Sequence, residues 1–109
     1  MVRQPEPDPS RGVYGIGVAA SLVGSAPQNL RLYEARGLVA PSRSDGGTRL
    51  YSDNDLQRLR TIAELLHGGL NLAGVHMVLG LQETNERLQS ELDKRAGLEE
   101  GTPESLDPL

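Results

Sequence analysis

Residues 18–37 read VAASLVGSAPQNLRLYEARG, and this stretch decides the fold. The pattern predicts two short helices joined by a tight turn, about Val18 to Val23 and about Pro27 to Arg36. Val18, Ala19, Leu22 and Val23 are expected to form a small apolar face. Gly24 suits the positive φ that ends a helix, and Pro27 presets the φ of a first helical turn. Ala26 occupies the cap position without a side-chain acceptor, so this helix start is poorly capped. The second helix sends Leu30 inward and carries Gln28, Asn29 and Arg31 in its first turns, where a helix entering a DNA major groove meets base edges. Arg31 can fork onto guanine or phosphate, and Gln28 or Asn29 can pair with adenine. Tyr33 adds a hydroxyl for a phosphate, and Gly37 closes the helix. The same residues suit an αα-hairpin in any small core, so the flanking segments must discriminate.

Downstream, Leu38 to Tyr51 (LVAPSRSDGGTRLY) changes character. Pro41 rules out a helix, and Asp45-Gly46-Gly47 is a turn signal between two short extended runs. The expectation is a small β-hairpin, a wing, with Arg43 on its outgoing strand and Arg49 on its returning one, placed to hold phosphates on either side of a groove. Ser52-Asp53-Asn54-Asp55 resembles a capping box and opens a third helix. Leu56, Leu59, Ile62, Ala63 and Leu66 recur at helical spacing as its buried face, whereas Arg58 and Arg60 point to solvent or phosphate. His67-Gly68-Gly69 ends that helix. Asn71 caps a fourth, with Leu70 and Val75 placed as a hydrophobic staple and Leu72, Val75, Val78 and Leu79 as the apolar stripe. Gly80 is read as a bend.

Leu81 to Arg95 is polar apart from Leu81, Leu88 and Leu92. Leu81 and Leu88 fit d positions of a heptad, with Asn85 and Leu92 at a, and a buried Asn at a specifies register. Two heptads are too short to be stable alone, which predicts a dimerisation helix over 81–96. Residues 97–109 are acidic and contain Gly and Pro, and are expected to be a disordered tail. At the other end, residues 1–11 carry three prolines and read as a disordered leader. Residues 12–80 form the DNA-binding part. Gly15, Gly17 and Ala20 match G-x-G-x-x-A, but no strand precedes them and no βαβ unit follows, so the match is treated as chance. Tyr14 and Ile16 are expected to cover the core.

The chain has 109 residues, three tyrosines, and no Phe, Trp or Cys. Without cysteine there is no disulfide, thiolate metal site or Cys nucleophile. His67 and His76 lack the i, i+4 spacing of a helical metal pair, so no metal or other cofactor is expected. No apolar run approaches membrane-spanning length and no signal peptide is visible, which predicts a cytoplasmic, nucleoid-associated protein without membrane contact. The net charge of −4 is unevenly spread: −1 over residues 1–10, +3 over 11–60 and −6 over 61–109. All seven cations of the basic block are arginines, which suit phosphates and base edges better than lysines. No nucleophile–base pair or convincing phosphate loop is present, so an enzyme is not expected.

Taken together, Tyr14-x-Ile16, Leu30-Arg31-x-Tyr33-Glu34, Gly37-Leu38-x-x-Pro41-x-Arg43, Gly47-x-Arg49-x-Tyr51, Asp55-Leu56-x-x-Leu59, Ile62 and Gly69-x-x-Leu72-x-x-Val75 resemble the MerR family of bacterial transcription regulators. The resemblance covers about residues 13–80. It implies a mainly α, winged helix-turn-helix fold with a small β-hairpin wing and a C-terminal dimerisation helix that pairs antiparallel. Carried over, Gln28, Asn29 and Arg31 face the groove, while Tyr33, Arg43, Arg49 and Tyr51 hold the backbone. Many relatives have two adjacent tyrosines after the Arg, whereas here the first is Leu32. Metal-sensing members carry cysteines and drug sensors a large C-terminal ligand domain, and this sequence has neither.

The run Gly69-Leu70-Asn71-Leu72-Ala73-Gly74-Val75 is similar to the short heat-shock repressor branch, the HspR type, whose members repress chaperone operons from inverted repeats with the Hsp70 chaperone DnaK as co-repressor. The tail lacks the basic, apolar ending of some of them. The expected function is therefore a homodimeric, sequence-specific repressor on double-stranded DNA with an inverted-repeat operator, of heat-shock or chaperone genes. Two alternatives stay open: a protein-interaction adaptor that kept the fold without specific DNA binding, and an architectural or excisionase-like DNA-binding protein.

Overall fold

Gly24 and Pro27 punctuate the chain as their chemistry dictates. In the computed structural model, which describes residues 8–100 and side chains through residue 97, helix α1 runs Ile16–Val23 and stops at Gly24, whose φ is +70°. Helix α2 runs Pro27–Ala35 with Pro27 in its first turn and Ala26 as a cap that makes no side-chain hydrogen bond. Its end is closed by Gly37, at φ +75°, and by the Leu38 amide donating to the Tyr33 carbonyl at 2.8 Å. Strands β1 (Ser42–Arg43) and β2 (Arg49–Leu50) pair antiparallel with Ser42 opposite Leu50 and Arg43 opposite Arg49. Helix α3 spans Asp53–His67. Helix α4 spans Leu72–Glu100 and is unbroken at Gly80. A mid-helix Gly costs only about 1 kcal/mol, so it need not bend the helix there.

The capping box forms as expected. The Ser52 hydroxyl accepts from the Asp55 amide at 3.0 Å, and the Asp55 carboxylate accepts from the Ser52 amide at 2.9 Å. At the start of α4 the Asn71 side chain accepts from the Gly74 amide at 2.8 Å.

The chain divides into two compact units, Met1–His76 and Met77–Leu109. In the first, α1 packs against α2 and α3. Leu30, Leu38, Leu59, Ile62 and Val75 are fully or almost fully buried, with Leu56 close behind. The expected face of α1 is corrected. Ala19 and Ala20 turn inward, while Val18 and Leu22 are 55% and 49% exposed. Small side chains let α1 approach its neighbours closely, and no room remains for the larger pair. On α3, Ala63 is exposed and Leu66 half-buried. Arg58 does not point away from the protein, because its Nε donates to the Leu38 carbonyl.

The expected leader is also ordered in part. The Ser10 amide and hydroxyl both donate to the Asp8 carboxylate, at 2.9 and 2.7 Å. The Pro9 carbonyl accepts from the Asn54 amide at 3.0 Å. The first amides of a helix lack intrahelical acceptors, and Pro9 supplies one. Val13 and Tyr14 then lie beside the wing: both their amides donate to the Tyr51 carbonyl, and the Tyr51 amide donates back to Tyr14 at 2.7 Å. Gly12 permits this approach, since a Cβ there would sit 2.7 Å from the Leu50 carbonyl oxygen and against the Ser42 hydroxyl. Residues 1–7 of the expected leader lie outside the described residues.

The described residues of the second unit form one helical stretch, the continuation of α4. From Gly80 through Gly97 every residue is exposed, including Leu81 at 64%, Leu88 at 47% and Leu92 at 57%. The helix reaches Glu100, so residues 97–100 of the expected tail are helical; the good helix formers around Gly97 carry it past that residue. Residues 101–109 lie outside the described residues. Among the described residues no helix is long and apolar enough to cross a membrane.

Gly12→Ala is expected to force the N-terminal segment off the wing and to cost about 1–3 kcal/mol. Thermal unfolding checks this, and an unchanged Tm would mean that the segment does not depend on this close approach.

Candidate nucleic-acid interface

A helix can read DNA only with side chains that the protein core leaves free. On α2 the core takes Leu30, wholly buried, and Tyr33, 8% exposed. Gln28, Asn29, Arg31, Leu32, Ala35 and Arg36 remain exposed. Arg31 has no ion-pair partner among the described residues, so its guanidinium is available to an outside acceptor. Gln28 is exposed in the first turn. Asn29 is partly committed: its amide nitrogen donates to the Ser25 hydroxyl at 3.1 Å. The second amide hydrogen and the Oδ1 acceptor stay available for pairing with adenine.

The wing arginines differ from the expectation. Arg43 and Arg49 are direct cross-strand partners on the hairpin, a placement in which like charges repel. The repulsion is relieved by Glu34 of α2. One carboxylate oxygen of Glu34 accepts from Arg49 Nε at 2.6 Å and the other from the Arg43 guanidinium at 3.1 Å. Arg43 also donates to the Gly47 carbonyl at 3.1 Å, across the turn. The hairpin itself is held by the Ser44 amide on the Thr48 carbonyl (2.8 Å) and by Gly47 at φ +86°. The two arginines thus stand on the strands expected of them, share one anion and bind the wing to α2. With 47% of its side chain exposed against 28% for Arg49, Arg43 is the better placed of the two to meet a phosphate.

Tyr51 requires a correction. It is 0% exposed, and its hydroxyl meets no hydrogen-bonding group among the described residues. A ring buried beneath the wing cannot touch a DNA backbone in this conformation. Burial, first, and the nearby Glu34 carboxylate push its hydroxyl pKa above the ordinary tyrosine value, so it stays neutral. Tyr14 instead donates its hydroxyl to Asp53 at 2.8 Å, which ties the N-terminal segment to the start of α3. Glu34 is the functional residue that the sequence reading left without a role. Nothing local in the sequence signals its partners, 9 and 15 residues away.

Tyr51→Phe removes a hydroxyl that lacks a protein partner, which costs little or stabilises. The variant is expected to melt at or above the wild-type temperature and to bind DNA within about twofold of it. A large loss of affinity at unchanged Tm would return Tyr51 to the interface. Glu34 provides a pH test. Hydrogen bonding from Arg49, then the charges of Arg49 and Arg43, hold its carboxyl below the usual value of 4.5 against the opposing effect of burial. Its contribution to stability is therefore complete above pH 4.5 and is lost as pH falls through the lower, folded-state pKa. Glu34→Gln should lower the Tm by a few degrees at neutral pH, with the gap closing as acid protonates the carboxylate below its usual pKa. Parallel curves at all pH values would show that the carboxylate carries no charge-dependent load.

Comparison with known proteins agrees with this geometry. Residues 14–81 match the family model described as MerR HTH family regulatory protein. A Streptomyces coelicolor protein bearing the name heat shock protein HspR is 38% identical over 95 residues, covering 86% of this chain and 63% of its own length. The transcriptional regulator GlnR of Bacillus anthracis is 39% identical over 74 residues, covering 68% of this chain and 57% of its own. The chain thus spans less than two thirds of either relative. Among solved structures, the lead(II) complex of the regulator PbrR691 from Ralstonia metallidurans superposes with a TM-score of 0.64 at 26% identity, covering 86% of this chain and 77% of that one. HiNmlR, a MerR-family regulator lacking the sensor domain and bound to promoter DNA, gives 0.62 at 25% identity over 84% and 74%. A winged helix-turn-helix built on α1, α2 and the β1–β2 hairpin, with these relatives, places the chain in the MerR family of regulatory proteins.

Proposed function

We propose that the chain is a homodimeric, sequence-specific DNA-binding repressor. The observation that carries the reading is the outward face of α2, where Arg31 and Gln28 are exposed and have no partner among the described residues, while Glu34 on the same helix holds the wing beside it. Arg31 reads a guanine or grips a phosphate, Gln28 pairs with adenine, and Asn29 joins with the amide hydrogen that Ser25 does not use. Arg43, the more exposed wing cation, supports a phosphate. The likeness to a regulator bound to promoter DNA supports the same role for this face.

Homodimerisation is proposed from the second unit. Leu81, Leu88 and Leu92 are exposed at helical spacing with Asn85 among them, and Met77, 67% exposed, extends the row by one turn. A lone helix with such a row has no core, so a second copy of it is the natural cover. Two heads related by a two-fold axis require an inverted-repeat site. The similarity to a protein named heat shock protein HspR supports heat-shock genes as targets; chaperone genes, DnaK as co-repressor and the cytoplasm as the setting are proposed from the sequence resemblance to the heat-shock repressor branch.

Fluorescence anisotropy with duplexes from the gene's own upstream region tests this. The wild type is expected to bind selectively and with salt sensitivity, at two chains per inverted repeat. Arg31→Ala should lose about tenfold or more in affinity and blur base preference, whereas Arg43→Ala should weaken all sequences alike and reduce the salt slope. Equal binding to a scrambled duplex, with and without added DnaK, would overturn the proposal in favour of an adaptor or architectural role.

A further inference from the structure

Leu32 is a hydrophobic side chain at the centre of a face made for a polar surface. Successive residues of a helix are about 100° apart. Leu32, two positions beyond the wholly buried Leu30, therefore points about 200° away from it, almost straight outward. Gln28, one turn earlier, and Ala35, about one turn later, share that ridge, with Arg31 on one flank and Asn29 on the other. Leu32 is 40% exposed. It contributes little to the core, which Leu30 and Tyr33 serve from this helix.

We propose that Leu32 is a specificity-determining residue that reads the 5-methyl group of thymine in the major groove. The inference rests on the DNA-binding reading above. It adds a base preference that the hydrogen-bonding residues do not supply. The major-groove edge of an A·T pair offers an adenine donor and acceptor on one side and the thymine methyl on the other. Gln28 carries both a donor and an acceptor and meets the first. Leu32, in the adjacent position on the ridge, supplies an apolar surface for the second. A branched aliphatic side chain gains from covering a methyl group and gains nothing from cytosine, which presents an amino donor at the neighbouring position. It also disfavours G·C pairs, because it leaves polar edges desolvated and unpaired. Arg31 reads guanine alongside. The composite preference is for half-sites in which a G·C pair adjoins one or two A·T pairs whose thymine methyls face α2. Ala35, with a single methyl, extends the apolar strip by one turn.

The test uses the full chain and duplexes that it selects from a random-sequence library. Each thymine in the selected duplex is replaced in turn by deoxyuridine, which removes the 5-methyl group and leaves all hydrogen-bonding atoms in place. Wild-type protein is expected to bind about 3- to 5-fold more weakly for each specific methyl removed, at one or two positions per half-site, the factor that covering one such group supports. Leu32→Ala should bind thymine and deoxyuridine duplexes equally, and Leu32→Met should keep the discrimination. Circular dichroism should show an unchanged fold in both variants, since position 32 is exposed. Selective binding that is indifferent to every methyl overturns the role of Leu32 alone, as does discrimination that survives in Leu32→Ala. Failure to select any sequence overturns the DNA-binding reading itself, and the two failures are distinct.

Discussion

One carboxylate holds the DNA-facing part of this molecule together. Glu34 projects from α2 and accepts from two arginines that the hairpin register sets directly across from each other. Remove the carboxylate and the wing carries two adjacent like charges, with only the Gly47 carbonyl left to hold Arg43. Partly exposed ion pairs individually contribute little to stability, so the value of this triad is geometric. It fixes the wing against α2, so that the two form one surface, the one proposed to meet a duplex. The remaining features of the first unit serve the same end. Gly12 lets the N-terminal segment lie on the wing, the Tyr14–Tyr51 bridge fastens it there, and Arg58 holds the Leu38 carbonyl where the chain leaves α2.

The two units solve the problem of burial differently. The first has few aromatic residues to spend and fills its interior with leucine, isoleucine and valine around two tyrosine rings. Alanines on α1 keep the helices close. In the second, the helix buries Leu79 but exposes Leu81, Leu88 and Leu92 to solvent. Charged and amide side chains between these leucines keep the helix compatible with water, while the leucines themselves favour association. This is the physical basis for proposing that the chain acts in pairs, and it makes the operator symmetry a consequence of the protein symmetry.

What the sequence revealed was mostly local chemistry. The positive φ of Gly24, the first-turn role of Pro27, the Ser52–Asp55 capping box, the Asn71 cap and the Asp45-Gly46-Gly47 turn all depend on residues within a few positions of one another. Each is found where the sequence places it. The differences arise where distant residues decide. Val18 and Leu22 looked like core because they are large and apolar, but α1 needs small residues against its neighbours. Tyr51 looked like a phosphate contact because it follows Arg49, yet the return strand turns it beneath the wing. Arg43 and Arg49 were read as separate grips because their common partner lies on another element. At Gly80, helix propensity on both sides outweighs one glycine. For the candidate site, the exposed residues Gln28, Asn29 and Arg31 were legible from helical spacing alone, whereas the role of Glu34 was not.

The central claim is that α2 and the wing act as one DNA-binding surface. The most direct measurement is an NMR titration of the ¹⁵N-labelled chain with a duplex from its upstream region. The account predicts that the signals of residues 28–36 and of the hairpin, including the side-chain resonances of Arg31 and Arg43, move together and saturate at the same ratio of protein to DNA. Perturbations confined to the exposed face of α1 or to α4, with α2 and the wing unchanged, would contradict it.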